Sequence, residues 1–231
     1  MERYSVIKEK NPREIILLRG RGCAYKKCSF CDYHTDSSAD CRENFNINRT
    51  VLERVSGEYK NIEIINSGSV FELDDETLRL IKRVCREKGI TTIHFESHYI
   101  YKDRIERLRK DFDDFDLKIK LGLETFDYDF REKVLKKGID EASPEIIAQG
   151  FDEANFLFGI SGQTEAGMQR DIELGLKHFE RICINIMCKN STTVVPDTDV
   201  IEKFIKHLYP VYKDNNRVDI LLSNTDFGVG D

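Results

Sequence analysis

The chain has 231 residues, 40% hydrophobic, 34% charged and 10% aromatic, with four prolines, a composition that excludes disorder and allows a core without disulfide support. A formal net charge of −6 excludes a broad electrostatic grip on nucleic acid, which needs a basic face. The amino terminus lacks an apolar signal region and no uncharged run is long enough to cross a bilayer, so a cytoplasmic protein without a membrane partner is expected.

Taken in order, the apolar run at 15–18 reads as a buried strand ending at Gly20, so the cysteine-rich stretch that follows leaves the C-terminal end of the first strand. Val51, Leu52 and Val55 have helical spacing, which predicts a helix over 48–59. A second strand over 61–65 runs into the turn-forming Asn66, Ser67, Gly68 and Ser69. Asp74 or Asp75 can cap a helix whose Leu78, Ile81, Val84 and Cys85 share one face, and Gly89 ends it.

The alternation then repeats. Strands are predicted over 91–96, 117–124, 154–160 and 182–187, with Leu117, Ile119, Leu121 and Leu123 alternating as a strand requires. Between them come a helix over 103–112 with Ile105 and Leu108 inward, a helix ending at Lys137 and Gly138, a short helix capped by Ser143 with Pro144 first, and a helix over 164–179. Asp197 or Asp199 starts a last helix through Ile201, Phe204, Ile205 and Leu208, and 218–222 is a closing strand. Six strand–helix units and a final strand imply one α/β domain over 1–231, with the cysteine loop at about 20–41 and the closing strand and tail at 218–231.

Seven cysteines are unevenly placed, with Cys23, Cys28, Cys31 and Cys41 early and Cys85, Cys183 and Cys188 later. In a cytoplasmic protein such clustering points to metal ligation. The spacing C-x4-C-x2-C offers three thiolates; these can hold three irons of a [4Fe-4S] cluster and leave the fourth open. A structural zinc completed by Cys41 or His34 is the competing assignment. Cys183 and Cys188 lie on or near an apolar strand and read as structural thiols.

The order of the three cysteines, Phe30 before the third, and their place after the first strand resemble the radical S-adenosylmethionine (SAM) superfamily. Its usual motif is C-x3-C-x-aromatic-C; here one extra residue separates Cys23 from Cys28. The resemblance spans nearly the whole chain and implies a partial (β/α)6 barrel, TIM-barrel-like. It further implies a [4Fe-4S] cluster on Cys23, Cys28 and Cys31, SAM on the open iron, and a reduced flavodoxin or ferredoxin as electron donor. Asn66, Ser67 and Gly68 stand where the superfamily has a Gly-Gly-Glu-like segment for the SAM amino group, although that tripeptide is absent. Glu124, in Gly-Leu-Glu-Thr at the end of strand four, would contact SAM or its ribose, and Glu96, ending strand three, has a similar reading. Ile160 would pack on adenine, and Phe30 would offer its backbone to the adenine edge.

Among small members the chain is most similar to the queuine lyase type, which cleaves the carbon–nitrogen bond of queuine to release preQ1. By that resemblance the substrate is a 7-deazaguanine base, and its ring NH and NH2 donors call for acceptors such as His34, Asn185, Asn224 and Asp226. A 7-carboxy-7-deazaguanine synthase-like ring contraction, with magnesium on Asp32, Thr35 or Asp36, is the enzymatic alternative. A zinc-stabilised, non-catalytic α/β binding module is the alternative from another class.

Overall fold

The structure, a computed structural model, describes residues 2–223. Asn224 and Asp226, expected as substrate contacts, lie outside the described residues. The chain divides into two compact units, one of residues up to 26 with 33–119, the other of 27–32 with 120 onward.

In the first unit the parallel strands are β2 (Arg13–Leu18), β3 (Asn61–Asn66) and β4 (Thr92–Ser97), with Leu18 opposite Asn66 and Ile64 opposite Phe95. Before them β1 (Tyr4–Ile7) pairs antiparallel with β2. This strand was not expected, because its four residues are all half-buried and lack the apolar run that marks a central strand. Helix α1 (Cys41–Leu52) begins and ends earlier than periodicity predicts. The Asp40 carboxylate accepts from the amides of Arg42 at 2.9 Å and Glu43 at 3.1 Å, a cap worth about 1 kcal/mol that overrides the weak hydrophobic pattern. Helix α2 (Asp75–Lys88) follows the predicted plan, with Asp74 capping Thr77 at 2.8 Å and Gly89 closing it at φ 67°. The predicted helix over 103–112 is a 3-10 segment, Tyr99–Arg104, followed by α3 (Ile105–Asp111), and Ile105 and Leu108 are buried as expected.

Strand β5 (Asp116–Glu124) begins in the first unit and finishes in the second. In the second unit β6 (Glu153–Phe158), β7 (Arg181–Ile186) and β8 (Val218–Leu221) continue in parallel, with Phe158 opposite Ile186 and Asn185 opposite Leu221. Their helices are α4 (Pro144–Ala148), α5 (Glu165–His178), α6 (Thr198–Lys203) and α7 (Tyr209–Tyr212). Gly175 lets α5 approach the sheet closely: a Cβ there would stand 2.9 Å from Ile182 and 3.0 Å from Phe156. The last helix widens to π geometry over Phe204–Leu208, just ahead of Pro210, whose missing N–H cannot continue the i→i−4 ladder. The helix expected to end at Lys137 is reduced to a π turn, Phe130–Val134. The fully buried guanidinium of Arg131 organises that region, donating to the carbonyls of Thr125 at 3.2 Å, Ile139 at 3.1 Å and Glu141.

At the N-terminal strand edges sit buried ion pairs, Arg13–Glu63 at 2.5 Å in the first unit and Arg181 with Glu153 at 2.9 Å and Asp219 at 3.0 Å in the second. The C-terminal strand ends carry the loops with the chemistry-bearing residues, as parallel α/β sheets favour.

Candidate functional site

In the first unit the cysteine loop leaves β2 under the control of two buried asparagines of α1. Asn48 accepts from the Arg19 amide at 2.7 Å and returns a bond to the Arg19 carbonyl at 2.9 Å, while Asn44 donates to the carbonyls of Gly20 at 3.2 Å and Ser38 at 2.7 Å. Both were missed. Their spacing of four on one face was the available signal, obscured because the helix was expected to start at Asn48.

Cys23 lies against the end of β3. A Cβ added to Gly68 would stand 3.0 Å from the Cys23 Cα and 2.0 Å from the Glu72 carboxylate, so the absence of a side chain at Gly68 is what lets the two loops meet. Of the expected cofactor contacts here, Asn66 donates to the Ser69 carbonyl at 3.0 Å and Ser67 to the Asp36 carbonyl. Glu72 was not anticipated. It is buried and accepts from the Ala24 amide at 2.7 Å and the Tyr101 hydroxyl at 3.0 Å. Burial first, then the Glu72 charge, pushes the Tyr101 phenol up to about 12, which keeps it a donor. Tyr25 stacks on His98 with ring centroids 4.6 Å apart. Glu96 is half-buried within β4, and His34 is exposed in a 3-10 turn where its carbonyl accepts from Ser37 at 2.6 Å.

The second unit holds Cys28, Phe30 and Cys31. Phe30 packs with Ile160, Leu135, Leu157 and Met187 in one apolar cluster, which brings together the two residues expected at adenine. Asn190 donates to the Phe30 carbonyl at 2.8 Å, and Ser191 donates to Asp32 through its amide at 3.0 Å and hydroxyl at 2.9 Å. Gln163 clamps the turn before α5, accepting from the Ile160 amide at 2.9 Å and donating to the Leu157 carbonyl at 2.8 Å. Asn185 is half-buried on β7 and reaches the Phe156 carbonyl at 3.5 Å.

Glu124 ends β5 at a register shift, with its backbone at φ 71°. Its carboxylate is bound by Lys137 at 2.8 Å, both side chains being buried. Burial opposes the Lys137 charge, but Glu124 and then the negative charge that Cys28 and Cys31 carry when ionised hold its ammonium above the ordinary lysine range. The same nitrogen stands 5.6 Å from the centre of the Phe30 ring. Lys137 was missed because a lysine before a glycine at a helix end reads as a solvated C-terminal residue.

Cys23, Cys28 and Cys31 are part-exposed, unlike the buried Cys85 and Cys183; Cys188 is also part-exposed. Cysteine side chains, once deprotonated, are the donors that an iron–sulfur cluster uses. Among the described residues no three or more His, Cys, Asp or Glu side chains are gathered closely enough to hold a metal ion, and no helix is long and apolar enough to cross a membrane. Of the acids considered for magnesium, Asp32 is engaged by Ser191, and Asp36 is bound by Arg3 at 2.6 Å.

No family model matches the chain. Among solved structures, a queuine lyase from Clostridium spiroforme, solved bound to SAM and queuine, matches at 43% identity and a TM-score of 0.95 over 100% of both chains. This chain belongs to the queuine lyase family. As a member of the queuine lyase family it is an enzyme of lyase type, and it shares the α/β partial-barrel class expected from the sequence. An uncharacterised protein of Methanocaldococcus jannaschii is 30% identical over 54% of the chain; the match spans 38% of that longer relative.

Proposed function

We propose that this enzyme is a radical SAM lyase that cleaves the carbon–nitrogen bond joining the cyclopentenediol of queuine to its aminomethyl-7-deazaguanine core, releasing preQ1. The observation that supports it most is the full-length likeness, at 43% identity, to a queuine lyase solved with SAM and queuine bound. Cys23, Cys28 and Cys31 are the ligands proposed for a [4Fe-4S] cluster, with a reduced flavodoxin or ferredoxin as its donor. Held by these three side chains, such a cluster would supply an open iron for SAM and the electron for its reductive cleavage.

The chain's own residues bind and orient. Asn66, Ser67 and Gly68 present backbone at the end of β3 for the SAM amino group. In the second unit Phe30 and Ile160 form an apolar wall suited to adenine, and it excludes water from the faces it covers. Glu124, held by Lys137, is aligned to accept from a ribose hydroxyl. Glu96 is assigned to the cofactor, and His34 and Asn185 to the donors of the deazaguanine base; Asn224 and Asp226 keep the same assignment in the tail.

Anaerobic incubation with dithionite, SAM and queuine, followed by mass spectrometry, tests this reading. Formation of preQ1 with 5′-deoxyadenosine is expected. 5′-Deoxyadenosine without preQ1 overturns the substrate, and a colourless protein carrying stoichiometric zinc overturns the cofactor chemistry.

A further inference from the structure

We infer that Glu72 is a positioning residue that sets the backbone on both sides of Cys23, an inference that rests on Cys23 being a cluster ligand. The carboxylate takes the Ala24 amide at 2.7 Å and the Tyr101 hydroxyl at 3.0 Å on Oε1, and the Ser69 amide on Oε2. The main chain of the same residue takes the Arg21 amide at 3.2 Å on its carbonyl. One residue therefore grips the loop two positions before Cys23 and one position after it.

The grip is built to persist. Glu72 closes a capping box with Ser69 on the short 3-10 turn Val70–Glu72, so its side chain is held from its own element as well as from the loop. Ser69 in turn accepts from the His98 amide at 2.7 Å, tying the turn to the end of β4. The charged acceptor is needed because three donors converge on it, and charge-assisted bonds are about twice as strong as neutral ones. A glutamine has one oxygen and an NH2 group, so one of these donors would face another donor. Gly68 completes the arrangement, since any side chain there would occupy the space filled by the Glu72 carboxylate and the Cys23 backbone.

A ligand loop held in this way orders its first thiolate before metal arrives, as preorganised sites require. The experiment compares wild type with Glu72→Gln and, as a milder change away from the carboxylate, Tyr101→Phe. In metal-free protein, hydrogen exchange of the amides from 21 to 26 should accelerate by roughly tenfold or more in Glu72→Gln and by a smaller factor in Tyr101→Phe. After anaerobic reconstitution, Glu72→Gln should hold less iron per chain and lose the change that SAM induces in the paramagnetic resonance spectrum of the reduced cluster. Should Glu72→Gln fail to fold, Tyr101→Phe carries the same two measurements. Wild-type exchange and spectra in the variants, with normal iron in the wild type, overturn the role of Glu72 alone. A wild type that takes up no iron overturns the cluster reading and this inference together, whatever the exchange rates.

Discussion

Lys137 donates to Glu124 across 2.8 Å with both side chains buried, at a residue whose backbone is left-handed at φ 71°. A non-glycine residue in that region costs of the order of 1 kcal/mol or more and persists only where its surroundings hold it. Here the surroundings are the lysine and Gly122, at which a Cβ would stand 2.9 Å from the ammonium and 3.3 Å from the carboxylate.

Removing the cation should therefore be costly. Lys137→Met leaves a buried carboxylate unpaired, and breaking one side of such a pair typically destabilises by about 3–5 kcal/mol. Urea denaturation at neutral pH should show that loss, and adding Glu124→Gln to the same protein should recover a large part of it. A single-variant loss below about 1 kcal/mol would mean that solvent reaches the pair.

Gly68→Ala should displace the Cys23 loop, because the new methyl would sit 2.0 Å from the Glu72 carboxylate and 3.0 Å from a backbone atom that cannot swing away. Lower thermal stability, and slower or incomplete cluster loading, are expected on the same sample. Unchanged melting and loading would show that the approach of the two loops is slack.

Burial pushes the Asp171 carboxyl from its ordinary 3.8 up to about 6, although it accepts from the Thr125 hydroxyl at 2.6 Å and the Phe126 amide at 2.8 Å. With the folded value above the unfolded one, the folded state binds the extra proton between pH 4 and 6, so stability falls as pH rises through that window. The shift corresponds to about 3 kcal/mol at most. Asp171→Asn should flatten this part of the pH profile, and melting temperatures measured from pH 4 to 7 will show whether it does.

Asn190→Ala removes the 2.8 Å bond to the Phe30 carbonyl. The stability cost should be small, about 1 kcal/mol. If Phe30 lines the adenine site, KM for SAM should rise several-fold with kcat nearly unchanged, which steady-state kinetics will separate. Equal loss in kcat alone would place Asn190 in another role.

Serine replacements at Cys23, Cys28 or Cys31 should each lower iron content and abolish 5′-deoxyadenosine formation, whereas Cys41→Ser, on an exposed residue, should leave both intact. Iron analysis and product chromatography on the four variants decide between three ligands and a four-cysteine zinc site.

Several elements are legible in the sequence alone. Asp74 and Gly89 bounded α2, Ser143 and Pro144 opened α4, and the alternation from Leu117 to Leu123 identified β5. The strand β1 and the start of α1 were not, since one depends on pairing with β2 and the other on a cap stronger than its periodicity. For the site, Phe30 and Ile160 were each assigned to adenine from their separate motifs, and the structure packs the two in one apolar cluster. Glu124 was anticipated as a ligand contact, but its lysine partner, thirteen positions later, was not.

By itself the sequence determined the order of the parallel strands from β2 to β8, the three-cysteine loop and its place after a strand. Those features depend on neighbouring residues, on period, caps and spacing. Only the tertiary structure decided that Glu72 binds the amide of Ala24 from 48 positions away, and that Ser191 binds Asp32 across 159. Such contacts carry no local pattern, because packing brings together groups that the chain keeps far apart, and burial then makes each charge or amide require a partner.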